Sequence, residues 1–382
     1  MATHSVVPRK LWEHPDPQST QMAAFKRSLE KANGVTLPDY HSMYQWSIQN
    51  RIAFWDFCWN YFPIIHEGTY DRITDKNARI DSIPDWFPGV RLNYAENLLF
   101  TAAHPGETPS TVTTVGKEDN KIAVTEVREG DHEPTVNLTW RELRQRTGRL
   151  SQAMKAAGVQ KGDRIAVVAS NSIDTLTVLL ATTALGAIFS SASTDTGVKG
   201  ILDRIRQIQP RWVFMDDTAV YNGKTVDLRP KIAQVVEGMA VIPQFQGIIS
   251  VPRFRDRPAD ITHIPRTRTL AEFLAGASSD QLEFVRVRFR DPFLIAFSSG
   301  TTGEPKCIVH SVGGVLMNGN KEGRLNRSMN PNAITLQYTT TGWIMYNSCV
   351  SALLFGAKPI LYDGSPFQPD PTILVKLLEK HK

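Results

Sequence analysis

Between Leu138 and Asp217 the sequence switches repeatedly between two hydrophobic periods, and this alternation narrows the possible folds more than any other feature. LTWRELRQRTGRLSQAMKAAGV carries apolar residues at Leu143, Leu150, Met154 and Ala157, the spacing of a helix with one buried face. Thr139 with Glu142 three residues on reads as a capping box, and Gly158 suits a helix end. KGDRIAVVAS then reads as a turn and a buried strand, SIDTLTVLLATTALGA as a second helix and IFSSAS as a second strand. Thr194 and Asp195 are expected to cap a third helix, VKGILDRIRQI, and Pro210 precedes a third strand, RWVFMDD. Strands joined by helices need crossover connections. The expectation is an α/β protein with a mostly parallel, layered sheet and flanking helices.

The 382 residues allow two or three structural units, and 41% hydrophobic with 21% charged residues is enough for a large core. Residues 1–35 read as a polar lead-in segment. Residues 36–99 form an aromatic-rich layer in which IAFWDFCWNYF (Ile52–Phe62) is a helix packed on a larger body. SIPDWFPGVRLNYAENLLF (Ser82–Phe100) turns on Pro84, Pro88 and Gly89 before a short helix, and Gly106–Pro134 reads as a surface hairpin. Residues 243–290 look irregular, with Arg253, Arg255, Arg257, Arg266 and Arg268 on a solvated face. Only one aromatic residue, Phe254, interleaves with these arginines, and a net charge of +5 is too mild to argue for nucleic acid. Cys58, Cys307 and Cys349 are too widely spaced for a zinc or disulfide framework. The longest apolar stretch, Ser172–Ser191, contains Asp174 and reads as a buried helix leading into a strand, not a membrane span. The amino terminus lacks the apolar core of a signal peptide, so the expected location is the cytosol.

FSSGTTGEPK (Phe297–Lys306) follows the apolar strand DPFLIAF directly, and KCIVHS continues as a strand beyond it. Gly300 and Gly303 let a ligand approach the backbone, whose successive N–H groups suit an anion. The hydroxyls of Ser298, Ser299, Thr301 and Thr302 add donors, and Lys306 adds a mobile positive charge. The chemistry points to phosphate or pyrophosphate. The order is neither G-x-x-x-x-G-K-[ST] nor G-x-G-x-x-G, which excludes a Walker A loop and a dinucleotide fingerprint.

SSGTTGEPK resembles the phosphate loop of the acyl-adenylate-forming superfamily. RLNYAENLLF is similar to the end of the amino-terminal extension of acetyl-CoA synthetases. LWEHPDP, FWDFCWNYFPIIHEG, TTTGWIMYNSCVSALLFGA and LYDGSP together look most like the acetoacetyl-CoA synthetase family. The resemblance runs from about residue 10 to the end, with residues 100–382 as a partial AMP-binding domain. It implies ligation of acetoacetate to CoA through an acyl-adenylate, with ATP, Mg²⁺ and CoA as substrates or cofactor, small-molecule partners only, and no nucleic acid or membrane. Acetate, propionate or another short acid is the alternative substrate, and a non-catalytic nucleotide- or CoA-binding module is the alternative role.

Under this resemblance Ser298, Ser299, Gly300, Thr301, Thr302, Gly303 and Lys306 hold the ATP phosphates. Trp343, Ile344, Met345 and Asn347 shape the acyl pocket, Asn347 offering an amide near the 3-oxo group; ordinary core packing is the other reading of this segment. Lys224, in Tyr221-Asn222-Gly223-Lys224, matches a basic position near the CoA phosphates, or is a solvated turn lysine. His310 receives no role. The family's Tyr-Gly-x-Thr-Glu segment, ribose-binding Asp and mobile carboxy-terminal domain with its adenylation lysine have no counterpart, so the expectation is an incomplete chain, inactive alone.

Overall fold

The computed structural model describes residues 9–129, 135–298 and 303–381. Seven strands form the main sheet, in the spatial order Thr267–Thr269, Gly247–Val251, Trp212–Asp216, Arg164–Val168, Ile188–Ala192, Pro292–Ser298, Lys306–Ser311. Neighbours run parallel except the last pair, an antiparallel hairpin. The period-2 pattern decides which face each residue serves. Ile165 and Val167 join one core while Ala166 and Val168 join the other. The second core is closed by helices Val198–Ile208 and Arg229–Met239, through residues such as Ile201, Ile205, Val235 and Met239. The first takes helix Trp140–Ala156 and helix Ile173–Ala184, in which every residue but Asp174 is buried. That helix lies between layers, which is why it is apolar all round.

The capping box at Thr139 and Glu142 is present, and Gly158 takes φ +79° just beyond the helix end. Helix Val198–Ile208 starts differently from the expectation. Gly197 precedes it with no side-chain cap, because Asp195 is engaged by the Ser193 hydroxyl.

The stretch read as a surface hairpin holds an interior strand instead. Ile122–Arg128 pairs in parallel with Lys358–Asp363 and antiparallel with Val136–Thr139, in a second sheet completed by Ile334–Leu336. Its polar flanks misled the reading. Lys117 is buried, its ammonium donating to the carbonyls of Asn97 (2.8 Å) and Phe100 (2.6 Å). The basic segment also differs from expectation. Gly247–Val251 is a wholly buried strand, and the buried Arg253 side chain lies 3.1 Å from Asp363, so part of this region is interior.

The aromatic layer is structural. Trp59 stacks on Phe87 at 4.7 Å, and Phe87 meets Phe289 at 5.1 Å, joining helix Arg51–Tyr61 to the segment before the Pro292–Ser298 strand. Among the described residues no helix is long and apolar enough to cross a membrane.

Candidate active site

The chain passes from the Arg164–Val168 strand to Ile188–Ala192 on one side, then to Trp212–Asp216 on the other. At such a switch point the loops leaving adjacent strands diverge and leave a crevice beyond their carboxyl ends. A cleft of about 740 Å³ lies there, lined by Ser170, Asn171, Ser193, Thr194 and, across it, Tyr338 and Asp363. Its outer wall is the Thr218–Tyr221/Lys224–Asp227 hairpin, which brings Lys224 to the cleft. Lys231 lines it too, its ammonium held by the carbonyls of Thr194 (2.5 Å) and Thr196 (2.9 Å).

The hairpin is anchored by Glu129, which the sequence reading did not select. The buried Glu129 carboxylate accepts from the N–H groups of Asn222 (3.0 Å) and Gly223 (2.5 Å) on one side and Ser365 (2.6 Å) on the other. A Cβ on Gly364 would come within 2.4 Å of the Glu129 Cβ, so this approach requires glycine. Glu129→Gln replaces one acceptor oxygen by a donor facing N–H groups. The expected result is a loss of about 1–2 kcal/mol in stability, read by urea unfolding. Unchanged stability would show that the hairpin does not depend on this carboxylate.

Beneath the cleft the two sheets are tied by buried charges. Arg128 lies 2.9 Å from Glu126 and donates to the Arg253 carbonyl at 3.0 Å, while Glu126 accepts from the Ile173 N–H at 2.6 Å. Asp216, at the end of its strand, accepts from the Ser170 N–H at 2.8 Å. Burial pushes its carboxyl up to about 7, outweighing the opposing pull of that N–H and of Arg128.

The phosphate-loop candidate crosses the same edge of the sheet. Ser298 pairs with Lys306 at the mouth of the antiparallel hairpin, and both are exposed. Gly303 takes φ +107°, a left-handed backbone that favours glycine. Ser299, Gly300, Thr301 and Thr302 lie outside the described residues. The loop's exit is fixed to the Val198–Ile208 helix: Gln207 donates to the Pro305 carbonyl at 3.0 Å and accepts from the Cys307 thiol at 3.3 Å. His310, half-buried on the second strand, has its imidazole pKa lowered by burial.

A small cavity of about 20 Å³ lies beside this hairpin, bounded by Phe189, by Leu294–Ala296 of the strand that ends in Ser298, and by Trp343, Ile344 and Asn347. Met345 is not on its wall; it starts helix Met345–Val350 and is exposed. The Asn347 carboxamide oxygen accepts from the Tyr94 hydroxyl at 3.0 Å, and Tyr94 stacks on Phe293 at 4.2 Å. Three of the four candidates after the Gly342 turn therefore meet at one cavity next to the loop. The carboxyl edge thus carries, side by side, the Ser298/Lys306 end of a hairpin, a narrow pocket and a wide cleft with two lysines.

Residues 113–382 match the family model described as AMP-binding enzyme, and residues 40–98 match that of the acetyl-coenzyme A synthetase N-terminus. The chain is similar to acetoacetyl-CoA synthetase of Mus musculus, at 41% identity over 374 residues, covering 97% of this chain and 53% of the relative. A malonamoyl-CoA synthetase of Penicillium aethiopicum is 38% identical over 367 residues, covering 95% and 49%. The solved structure of acetoacetyl-CoA synthetase from Streptomyces lividans superposes with a TM-score of 0.84 at 29% identity, covering 98% of this chain and 54% of that one. The chain thus spans about half the length of the relatives it matches. With the matched segment covering well over half of its residues, including the Pro292–Ser311 hairpin and the cleft, the chain belongs to the AMP-binding enzyme family.

Proposed function

We propose that the protein carrying this chain joins acetoacetate to coenzyme A at the expense of ATP. The observation that carries this reading is the S-S-G-T-T-G-x-P-K hairpin with a narrow pocket on its inner side and the lysine-bearing cleft nearby. In the first step a carboxylate oxygen of the acid attacks the α-phosphorus of ATP, forming the acyl-adenylate and releasing pyrophosphate. In the second the CoA sulfur attacks the acyl carbonyl, its proton is released, and AMP leaves. Neither step needs a protein nucleophile; the protein orients the reactants and stabilises the charge. Ser298–Gly303 and Lys306 hold the leaving phosphates, Trp343, Ile344 and Asn347 bound the acyl group, and Lys224 meets the CoA phosphates.

Magnesium enters on the ATP phosphates, which supply most of its oxygen ligands. Among the described residues no group of three His, Cys, Asp or Glu side chains stands ready to hold an ion.

Two of the named relatives act on acetoacetyl and malonamoyl groups, both with a second carbonyl two carbons from the first. Malonamate is accordingly the second reading. We place the reaction in the cytosol; recovery of the protein in a membrane pellet after fractionation would contradict that. The test of the main reading is calorimetric titration of the protein with ATP, CoA and the sulfamoyl analogue of acetoacetyl-adenylate. Saturable binding of the analogue, tighter than ATP, is expected. Binding of none of the three would overturn the reading.

A further inference from the structure

We infer that Tyr346 selects acids with a second carbonyl, its hydroxyl donating a hydrogen bond to that carbonyl oxygen; the inference rests on the ligase reading above. Tyr346 is 2% exposed and is one of the residues lining the small cavity beside the strand that ends at Ser298. Its hydroxyl has no hydrogen-bond partner among the described residues. Buried polar groups are nearly always paired, and a buried unpaired donor calls for a ligand that pairs with it. Three neighbouring polar oxygens on the same wall are already engaged. Ser191 donates to the Thr341 carbonyl at 2.7 Å, Thr341 donates to the Ala169 carbonyl at 2.7 Å, and the Asn347 oxygen accepts from Tyr94.

Position and size favour the same assignment. Leu294, Ile295 and Ala296 of the cavity wall belong to the strand that ends at Ser298, so an acid whose carboxylate lies near Ser298 has this cavity within reach of its tail. A cavity of about 20 Å³ admits about one water-sized group, which suits the end of a short acid. Burial raises the phenol pKa well above its ordinary value, so the hydroxyl remains a donor at neutral pH. A site built to pair with a substrate oxygen rejects an analogue lacking it more strongly than a hydrophobic pocket rejects a missing methylene.

The experiment compares two probes, acetoacetyl- and butyryl-sulfamoyladenosine, which differ only in C=O against CH₂ at carbon 3. They are titrated into the native chain and into Tyr346→Phe, which keeps the ring and removes the hydroxyl. The expected result is about tenfold weaker binding of the acetoacetyl probe to the variant, with the butyryl probe unchanged or tighter. Equal weakening of both probes would make Tyr346 a packing residue and overturn the inference, as would an unchanged acetoacetyl affinity. Native protein that binds neither probe would overturn the ligase reading itself. Native protein that binds both equally, with no effect of the variant, overturns only the role of Tyr346.

Discussion

Replacing Asp216 by Asn is expected to stabilise the protein by about 4 kcal/mol at pH 8 and by almost nothing near pH 4. The carboxyl is buried at the end of the Trp212–Asp216 strand and its pKa is raised to about 7, chiefly by loss of solvent. Arg128 opposes the rise and Asp363 adds to it. In the unfolded chain the same group has a pKa of about 3.9. Between about pH 4 and pH 7 the native state therefore holds a proton that the unfolded state has released. Stability contributed by this group falls as pH rises through that window, by about 1.4 kcal/mol per unit, and is flat above it. Asn has the same shape, accepts the Ser170 N–H with its amide oxygen and never ionises. Urea unfolding of both proteins between pH 4 and pH 8 measures the difference. Curves that run parallel across the range would show that Asp216 is ionised throughout, its charge neutralised by Arg128. Because Ser170 lines the cleft, the same group links the cleft floor to pH.

What could be read from the sequence was what is set locally. The alternation from Leu138 to Asp217 gave the parallel layers because each strand and helix carries its own period and its own punctuation. The candidate anion loop stood out because its hydroxyls, glycines and lysine are contiguous. Failures came where partners distant in sequence decide burial. Ile122–Arg128 follows Lys117, Glu118, Asp119 and Lys121 and so looked like surface, yet Lys117 is buried by carbonyls from Asn97 and Phe100. Arg253 was grouped with exposed arginines, whereas its side chain is buried next to Asp363, over a hundred residues away. Glu129 and Tyr346 gave no local signal. One acts by joining two turns, and the other by standing unpaired in a cavity formed by four separate segments.

Lys306→Ala is expected to weaken ATP binding by roughly 10- to 150-fold while leaving the melting temperature almost unchanged. The side chain is exposed at the first position of the Lys306–Ser311 strand, and the ladder with Ser298 is made by backbone groups that Ala retains. Surface substitutions of this kind usually shift stability by less than about 0.5 kcal/mol. A charge-assisted contact between an ammonium and a phosphate, by contrast, contributes about 1.5–3 kcal/mol, and each 1.4 kcal/mol is a factor of ten in affinity. If the lysine meets the leaving phosphates, as proposed, AMP binds the variant as it binds the native protein, and the difference appears only with ATP. Lys306→Arg restores the charge but not the compact ammonium, so partial recovery is expected. Raising the salt concentration should narrow the gap between native protein and Ala variant, since an exposed charge is screened within about 8 Å at physiological ionic strength. Equal losses for ATP and AMP would mean that Lys306 supports the loop's shape instead of its ligand. Unchanged ATP affinity would remove this hairpin from the nucleotide site and leave the wide cleft as the place to look for it.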